Sequence, residues 1–550
     1  MAARRRNDRS ATPHNTMTPG TVSSVLRFGL LAIIAFCLPA TSSAQDASAP
    51  EAARAPKEVR GAVDRQHVVI LQPVVLCDDD GSHAAPFALP KQWVDRVYTK
   101  ADLEFLYLPP RRWSYGDARQ GKVNLDVIVA AGQANGMISR DPRIVTLLFV
   151  SSVDGQAGPL GRGLQNGNIC FVCLGPTPDA NDPMMEAFVV AHEVGHCLNL
   201  RHTVDDPRVP DEAFNLQGGG PFEERLAVGG LHESQRDTVM ESPLVNARLR
   251  FYTSAESARR LLDETWGPYV TGAHPDQLRF VLSLAPDAEI PLGTEARLAF
   301  AREKHAGYAA EFTDQEKKVL RGRVADLQSL MGAEWPLLAR LPWNFVKVRD
   351  GFCRGFPHTR GLSIVLGPRA LARIEKDPAF ALTVLLHEKL HVAQRLAPHA
   401  FASLYSDYGY QRVEIDPGAS AGMNLVQNPD ALSSTWAIEV DEILYWLATT
   451  MIKRGGRLIL HEELRPLEPG ANGLFAPGPA VPLARLGAFR ERFAIRSGHD
   501  HPNEVAAYLA EQILRMDFLG QQVEVLPAAE KDLDATRSAF RALLGGVGAR

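Results

Sequence analysis

The chain has 550 residues, of which 45% are hydrophobic and 22% are charged, a composition typical of globular proteins. This length is enough for two or three domains. The formal net charge is -5, and the sequence has no basic patch that would indicate binding to nucleic acid.

The N-terminal segment has the composition of a secretory signal peptide. Arginines at positions 4, 5, 6, 9 and 27 precede the apolar run FGLLAIIAFCLPA, residues 28–40, and small residues follow it. The run is too short to cross a bilayer, which needs about 20 apolar residues. We predict a signal peptide over 1–44, cleaved after Ala44, and a linker over 45–62. The mature chain is therefore expected to be secreted or periplasmic, without a membrane span.

Residues 63–265 have the pattern of a mixed α/β domain. Strands are predicted where β-branched and apolar residues cluster, and helices where apolar residues recur every three or four positions. The predicted order is strand HVVILQPVVL, helix ALPKQWVDRVYTKADL, strands VNLDVIVAA, RIVTLLFVSS and NICFVCL, and then a long helix. The strand NICFVCL is predicted to be the edge of the sheet, where an extended peptide could pair with it.

The second half of the chain is predicted to be mainly helical. Thr313 and Glu316 form a capping box at the start of one helix, and Asp377 with Pro378 marks the start of another. WNFVKVR and GLSIVLG are predicted strands. The whole chain is thus expected to be of the α+β class. We predict a helical connection over 266–340, a second domain over 341–525 and a C-terminal helix or tail over 526–550.

Five cysteines remain after the predicted cleavage. Cys170 and Cys173 form a CxxC pattern, but it lies in a predicted strand. A structural disulfide or simple burial is therefore expected there rather than redox chemistry.

The segment VVAHEVGHCLNLRHT, residues 189–203, carries the first candidate site. Asp182 and Pro183 predict a helix start, and no helix breaker follows before the histidines. His192 and His196 are four residues apart, so both imidazoles lie on one helix face and can bind the same metal ion. Glu193 lies beside them and is placed to deprotonate an attacking water.

A catalytic zinc ion usually takes three protein ligands, so a third is needed. His202 could supply it only if the chain turns sharply after His196. Such a turn requires a residue with positive φ, which glycine adopts freely and asparagine tolerates next best. Asn199 is at the required position, and we predict that it makes this turn.

The sequence HEVGHCLNLRH resembles the metzincin zinc signature HExxHxxGxxH, with Asn199 in the glycine place. The resemblance covers about 65–245 and is greatest to the pappalysin-like and reprolysin-like branches. It implies a twisted mixed sheet with an active-site helix. It also implies a tight turn with a supporting methionine below the metal, for which DTVMES offers Met240. By this resemblance, His192, His196 and His202 are zinc ligands and Glu193 is the general base.

A second HExxH occurs in LTVLLHEKLHVAQR and comprises His387, Glu388 and His391. A third histidine at the metzincin offset is missing, because Ala397 occupies that place. The pattern resembles gluzincin-type sites, in which a glutamate from a later helix completes the ligand set, over about 340–515. This resemblance implies a second zincin-like domain with Glu388 as the base.

Two glutamates are candidates for the third ligand of this second site. Glu504 follows a predicted helix cap at Asp500, where a carboxylate in the first turn can face a pocket. Glu439 is also predicted to lie on a helix. We favour Glu504, although Tyr508 departs from the family pattern.

These patterns predict a secreted zinc metallopeptidase that cleaves protein or peptide substrates by activated water. One zinc ion is expected in the first domain and a second in the C-terminal domain. Two alternatives share the same residues. One is a zinc-dependent amidohydrolase that acts on non-peptide amides of cell-wall material, and the other is a non-catalytic zinc-binding protein. Glu193 and Glu388 weigh against the last, because a purely structural metal site needs no base beside it.

Overall fold

The computed structural model describes residues 65–89, 91–156, 159–175, 183–210, 215–219, 230–431, 435–470, 473–493, 498–523 and 527–545. All of them belong to the compact unit Ala53–Arg550. The predicted signal peptide and linker lie outside these ranges. No helix within the described ranges is long and apolar enough to cross a membrane. The fold is α+β, as the sequence predicts.

The first sheet is built around β1, whose residues are buried at all positions but the first. Its strand order is β2-β1-β4-β6-β5, and β3 and β7 also pair with β1. The pairs β1–β2, β1–β4 and β4–β6 are parallel, whereas β5 is antiparallel to β6. The elements are β1 (His67–Cys77), α1 (Lys91–Val97), β2 (Leu103–Tyr107), β3 (Arg111–Ser114), α2 (Gly116–Arg119), α3 (Leu125–Ala134), β4 (Ile144–Phe149), β5 (Pro159–Gly163), β6 (Ile169–Leu174), α4 (Pro183–Cys197), α5 (Glu233–Met240) and β7 (Asn246–Ala247).

Two predictions for this sheet are wrong. The segment VNLDVIVAA is not a strand, because it forms most of α3. The side chain of Asn124 accepts a hydrogen bond from the Asp126 N–H and caps the helix, and Ile128 and Gly132, four residues apart, are buried on one face. The strand NICFVCL is not the edge either, because β5 covers β6 on its outer side.

The second sheet has the order β11-β12-β10-β8, with β9 paired to β10. Its two predicted strands, WNFVKVR and GLSIVLG, are confirmed as β10 and β12, and the capping box at Thr313 is confirmed at the start of α9. The elements are β8 (Leu249–Phe251), α6 (Ser254–Arg260), α7 (Pro275–Val281), α8 (Thr294–Tyr308), β9 (Ala309–Ala310), α9 (Asp314–Met331), α10 (Pro336–Arg340), β10 (Trp343–Val348), β11 (His358–Arg360), β12 (Ser363–Leu366), α11 (Pro368–Lys376) and α12 (Pro378–Leu396).

The expectation of a mainly helical second half is wrong for residues 410–477. This segment forms a third, antiparallel sheet with the order β13-β14-β15-β16-β17. Its aromatic and β-branched residues suit a half-buried sheet, and the hairpin β15–β16 turns at Gly455 and Gly456, both with positive φ. The elements are α13 (Ala402–Asp407), β13 (Tyr410–Val413), α14 (Pro417–Ser420), β14 (Thr435–Val440), β15 (Ile443–Arg454), β16 (Arg457–Pro469), β17 (Phe475–Pro477), α15 (Gly487–Glu491), α16 (Pro502–Ile513) and α17 (Pro527–Leu544).

The largest hydrophobic core joins parts of all three sheets. It includes Val68 and Ile70 of β1, Phe345 of β10, Leu390 of α12 and Leu464 of β16. A second core lies between the first sheet and α4. The helices α4 and α12, which carry the two HExxH sequences, are therefore each held against a sheet by buried apolar residues.

Candidate metal centres

Helix α4 brings the first two histidines together. It begins at Pro183, as predicted, while the predicted cap Asp182 lies outside the described residues. The rings of His192 and His196 are one helical turn apart, with centroids separated by 4.8 Å. Both side chains therefore project from the same face of the helix.

The chain reverses direction immediately after this helix. Asn199 has a φ of 69°, its N–H donates to the carbonyl of His196 over 3.0 Å, and the N–H of Leu200 donates to the carbonyl of Gly195 over 2.8 Å. This is a left-handed helix ending, which glycine and asparagine favour. The predicted turn at Asn199 is thus confirmed.

The turn brings His202 back to the helix. Its Nε2 lies 3.2 Å from Nε2 of His192, and its ring centroid lies 4.8 Å from that of His196. The three histidines offer ligand atoms that all lie within 4.8 Å of one another. Zinc–nitrogen distances are about 2.0 to 2.1 Å, so one tetrahedral ion fits between nitrogen atoms at this spacing.

Hydrogen bonds orient two of these imidazoles. Nδ1 of His192 lies 3.0 Å from the carbonyl oxygen of Leu216, and Nδ1 of His196 lies 2.9 Å from that of Leu200. A protonated Nδ1 that donates to a carbonyl leaves the Nε2 lone pair free for a metal ion. Burial also lowers the pKa of His196 to about 4, which favours the neutral form that binds metal.

Glu193 lies against the edge strand β5. Its Oε2 accepts a hydrogen bond from the N–H of Gly163 over 2.5 Å, and the residue is only 7% exposed. A Cβ atom at Gly161 would lie 2.4 Å from Cγ of Glu193, so only glycine allows this approach. Burial raises the pKa of the Glu193 carboxyl to about 8, against the opposing effect of the Gly163 hydrogen bond. A cation bound to the histidines would favour the ionised carboxylate.

The resemblance implied a tight turn at Met240, but Met240 is the last residue of helix α5. The N–H of Glu241 still donates to the carbonyl of Asp237, and the turn follows over 241–244. Met240 is partly buried against the core that includes Ala191 and Val194 of α4. It therefore packs with the core beneath the helix that carries the histidines.

The second group combines α12 with the later helix α16. Asp377 caps α12 and Pro378 begins it, as predicted. Oε2 of Glu504 lies 3.3 Å from Nε2 of His387 and 3.7 Å from Nε2 of His391. These three side chains form the second set of potential metal ligands among the described residues.

Glu439, the other candidate, is not part of this group. It lies on strand β14 rather than on a helix, and its carboxylate accepts a hydrogen bond from Gln411 at the surface. The cap of α16 also differs from the prediction. His501 caps this helix by accepting from the N–H of Asn503 over 3.1 Å, whereas Asp500 precedes it.

Residues that the sequence patterns did not indicate hold the second group in place. Nδ1 of His387 lies 2.8 Å from Oε1 of Glu511, and Nδ1 of His391 lies 2.8 Å from Oε1 of Gln394. Both contacts leave Nε2 directed at Glu504. Nε2 of His391 is buried with no hydrogen-bond partner among the described residues, as a position for a metal ion requires.

The carboxylates of the second group differ in environment. Burial acts to raise the pKa of Glu504, but the charges of His391 and His387 hold it below its ordinary value. Burial, followed by the charge of Asp430, raises the pKa of Glu388 to about 8. Oε2 of Glu388 accepts a hydrogen bond from Oγ1 of Thr359 over 2.9 Å, so the side chain is held toward strand β11.

The CxxC pair does not form a disulfide. Cys170 and Cys173 belong to different cores on opposite faces of β6, and each is a free, buried thiol. Sγ of Cys170 instead lies 3.3 Å from Sγ of Cys197 at the end of α4. Burial, as predicted, is the property that these residues share.

Comparisons with known proteins find limited similarity. No protein-family model matches the chain, and no curated protein matches it. Among solved structures, archaemetzincin from Archaeoglobus fulgidus is similar to a part of it, with 14% sequence identity and a TM-score of 0.20. The match covers 31% of this chain and 99% of archaemetzincin. A similarity of this size does not assign the chain to a family.

Proposed function

We propose that this protein is a zinc-dependent metallopeptidase whose catalytic centre is the group His192, Glu193, His196 and His202. The convergence of three imidazole nitrogens beside a buried carboxyl carries this proposal. Three neutral nitrogen ligands leave one position of a tetrahedral zinc ion open, which is the arrangement of catalytic rather than structural sites.

The chain supplies the groups that the hydrolysis of an amide needs. Zinc, when bound, supplies a Lewis acid that polarises the scissile carbonyl and lowers the pKa of water. Glu193 accepts a proton from the attacking water and delivers it to the leaving amine. The hydrogen bond from Gly163 keeps its carboxyl next to the sheet edge while it does so.

Strand β5 is the feature that favours an extended peptide as the substrate. It is the outermost strand on this side of the first sheet, and Gly161 and Gly163 bring its backbone against Glu193. A peptide that adds to this edge by backbone hydrogen bonds would lie beside the proposed general base. Pairing through the backbone depends little on the side chains of the substrate peptide. The predicted signal peptide further suggests that the substrate is met outside the cytoplasm.

We propose a second zinc ion at His387, His391 and Glu504. Two observations support this assignment. Nδ1 of each imidazole is already engaged in a hydrogen bond, and Nε2 of His391 is buried without a hydrogen-bond partner among the described residues. Its role is either a second hydrolytic site with Glu388 as the base or a zinc-holding region that assists substrate binding. Because strand β5 offers a sheet edge to an extended peptide beside Glu193, we place the main activity at the first group.

The decisive experiment compares Glu193→Ala with Glu388→Ala in the full chain. We expect elemental analysis to give two zinc ions per chain in the wild type and in both variants, because neither glutamate is a ligand. Digestion of a peptide library should fall at least about 100-fold in Glu193→Ala, as loss of a general base requires. Glu388→Ala should retain most of the cleavage. Cleavage that survives the first change and disappears with the second would refute the assignment of the main site.

A further inference from the structure

Two cysteine side chains meet where helix α4 ends against the first sheet. Cys197 is the last residue of α4 and directly follows His196, and Cys170 is on β6. Their Sγ atoms are 3.3 Å apart, and neither residue has any exposed surface. Since an S–S bond is about 2.05 Å long, a closure of about 1.3 Å brings the two sulfurs to bonding distance.

This pair of cysteines adjoins the parts of the structure that hold the first group. Cys170 pairs on the sheet with Gly163 of β5, whose N–H donates to Oε2 of Glu193. Cys197 precedes the positive-φ turn at Asn199 by two residues. The two cysteines are 27 positions apart in the sequence, so a bond between them would close a loop long enough to restrict the unfolded chain.

The other cysteines of the described ranges have no sulfur neighbour of this kind. The thiol of Cys77 donates to a backbone carbonyl over 3.7 Å, and the thiol of Cys353 lies 3.8 Å from a histidine ring nitrogen. Cys173 belongs to a different core from Cys170, on the opposite face of β6. Within the described part of the chain, Cys170 and Cys197 are therefore the pair whose sulfur atoms are in contact.

We propose that Cys170 and Cys197 form a disulfide bond in the exported protein and that this bond ties the C-terminal end of α4 to β6. It fixes the end of the helix from which the chain turns at Asn199 toward His202. The inference is independent of the hydrolysis proposed above, because the bond requires neither zinc nor a substrate.

The bond forms by thiol–disulfide exchange with an oxidant that itself contains a disulfide, such as an oxidoreductase or oxidised glutathione. The two thiols give up two electrons and two protons and form one S–S bond, while the S–S bond of the oxidant breaks and becomes two thiols. The predicted signal peptide would deliver the chain to a compartment where such oxidants are present. Because both sulfurs are buried in the folded protein, the exchange takes place during folding.

The test is a map of the thiols in the full chain, prepared in two ways. One sample is purified after export, and the other is reduced, unfolded and refolded with reduced and oxidised glutathione, so that its result does not depend on the signal peptide. Both are unfolded in iodoacetamide and digested without reductant. We expect alkylation of Cys77, Cys173 and Cys353, and one pair of peptides joined through Cys170 and Cys197. Alkylated Cys170 and Cys197 in either sample would overturn the proposal.

Variants assign the bond and measure its effect. In Cys197→Ala, Cys170 should become alkylated. In Cys173→Ala, the matched control on the same strand, the joined peptides should persist. A phosphine reductant should lower the melting temperature of the wild type by at least about 3 °C and leave that of Cys197→Ala unchanged. An equal effect of the reductant on both proteins would contradict a bond that holds α4 to the sheet.

Discussion

Asn199 determines whether His202 can reach the other two histidines of the first group. A right-handed conformation at this residue would extend α4, and the chain would carry His202 away from His192. The positive φ of Asn199 instead returns the chain to the helix within three residues. An asparagine in this conformation costs less than other side chains but more than glycine.

Substitution of Asn199 tests this role. We expect Asn199→Gly to be at least as stable as the wild type and to keep its zinc. Asn199→Ala should lower the free energy of unfolding by about 1 kcal/mol, because alanine adopts the left-handed conformation at a higher cost. It should also weaken zinc binding at the first group while the second is unaffected. Urea denaturation measures the free energy of unfolding, and zinc titration measures the affinity of each group for zinc.

Gln165→Ala is the control for this prediction. Nε2 of Gln165 donates to Oδ1 of Asn199 over 3.1 Å at the protein surface, so Asn199→Ala also removes that contact. An exposed hydrogen bond contributes little, and Gln165→Ala should therefore be close to the wild type. If it matches Asn199→Ala instead, the backbone conformation is not the cause.

At the scale of elements, the first group depends on how β5 packs against α4. A Cβ atom at Gly163 would lie 2.3 Å from the carbonyl oxygen of Glu193 and 2.9 Å from Cβ of His196. Neither contact is possible without a shift of the strand or the helix. Glycine at this position therefore sets the distance between the sheet edge and the residues proposed to act in catalysis.

Gly163→Ala should displace β5 from the helix. We expect the free energy of unfolding to fall by about 1 to 3 kcal/mol, as overpacked sites do. A displacement near 1 Å can reduce the rate of an enzyme about 100-fold, so peptide cleavage should fall by about that factor. Gly219→Ala serves as the control, because a Cβ there has no neighbour within 4 Å. Unchanged cleavage in Gly163→Ala would show that β5 does not position the site.

The parts of the site that depend on local spacing could be predicted from the sequence. Histidines four residues apart meet on any helix, and Asp377 with Pro378 marks a helix start by local hydrogen bonding. Glu504 could be proposed as the third metal ligand because a carboxylate in the first turn of a helix can face a pocket. Gln394 lies three residues after His391 on the same helix, so its contact also follows from local spacing, although the sequence analysis did not identify it. Glu511 could not be predicted in this way, since only the packing of α16 on α12 brings it to His387.

The strands that the sequence analysis did not predict lack the residue patterns that usually mark strands and hairpin turns. The edge strand β5 has the sequence PLGRG, which contains no β-branched or aromatic residue. The turn between β14 and β15 consists of Asp441 and Glu442, both with positive φ, and it lacks the glycine that usually marks a tight hairpin. Without that mark, the continuous segment around Glu439 suggested a single helix.

At the scale of the whole molecule, a short segment connects the first and second sheets. Strand β7 pairs with β1, and β8, which begins at Leu249, pairs with β10. Arg248 lies between β7 and β8 and forms an ion pair with Glu104, which has no exposed surface. Lys91 and Arg340 lie 3.2 and 3.6 Å from the same carboxylate. Glu104 is thus a buried anion that three cations share where the two sheets meet, and Lys91 also pairs with Asp95.

Loss of this anion should destabilise the protein more than any surface substitution. In Glu104→Gln, Arg248 and Arg340 would lose the Glu104 carboxylate, while Lys91 would keep its ion pair with Asp95. Removal of one partner of a buried ion pair typically costs about 3 to 5 kcal/mol. We expect urea denaturation to show a decrease of that size in the free energy of unfolding. Glu334→Gln removes an exposed ion pair with Arg541 at 2.6 Å and should change stability by less than about 1 kcal/mol. Equal stability of the two variants would mean that the sheets are held together by apolar packing alone.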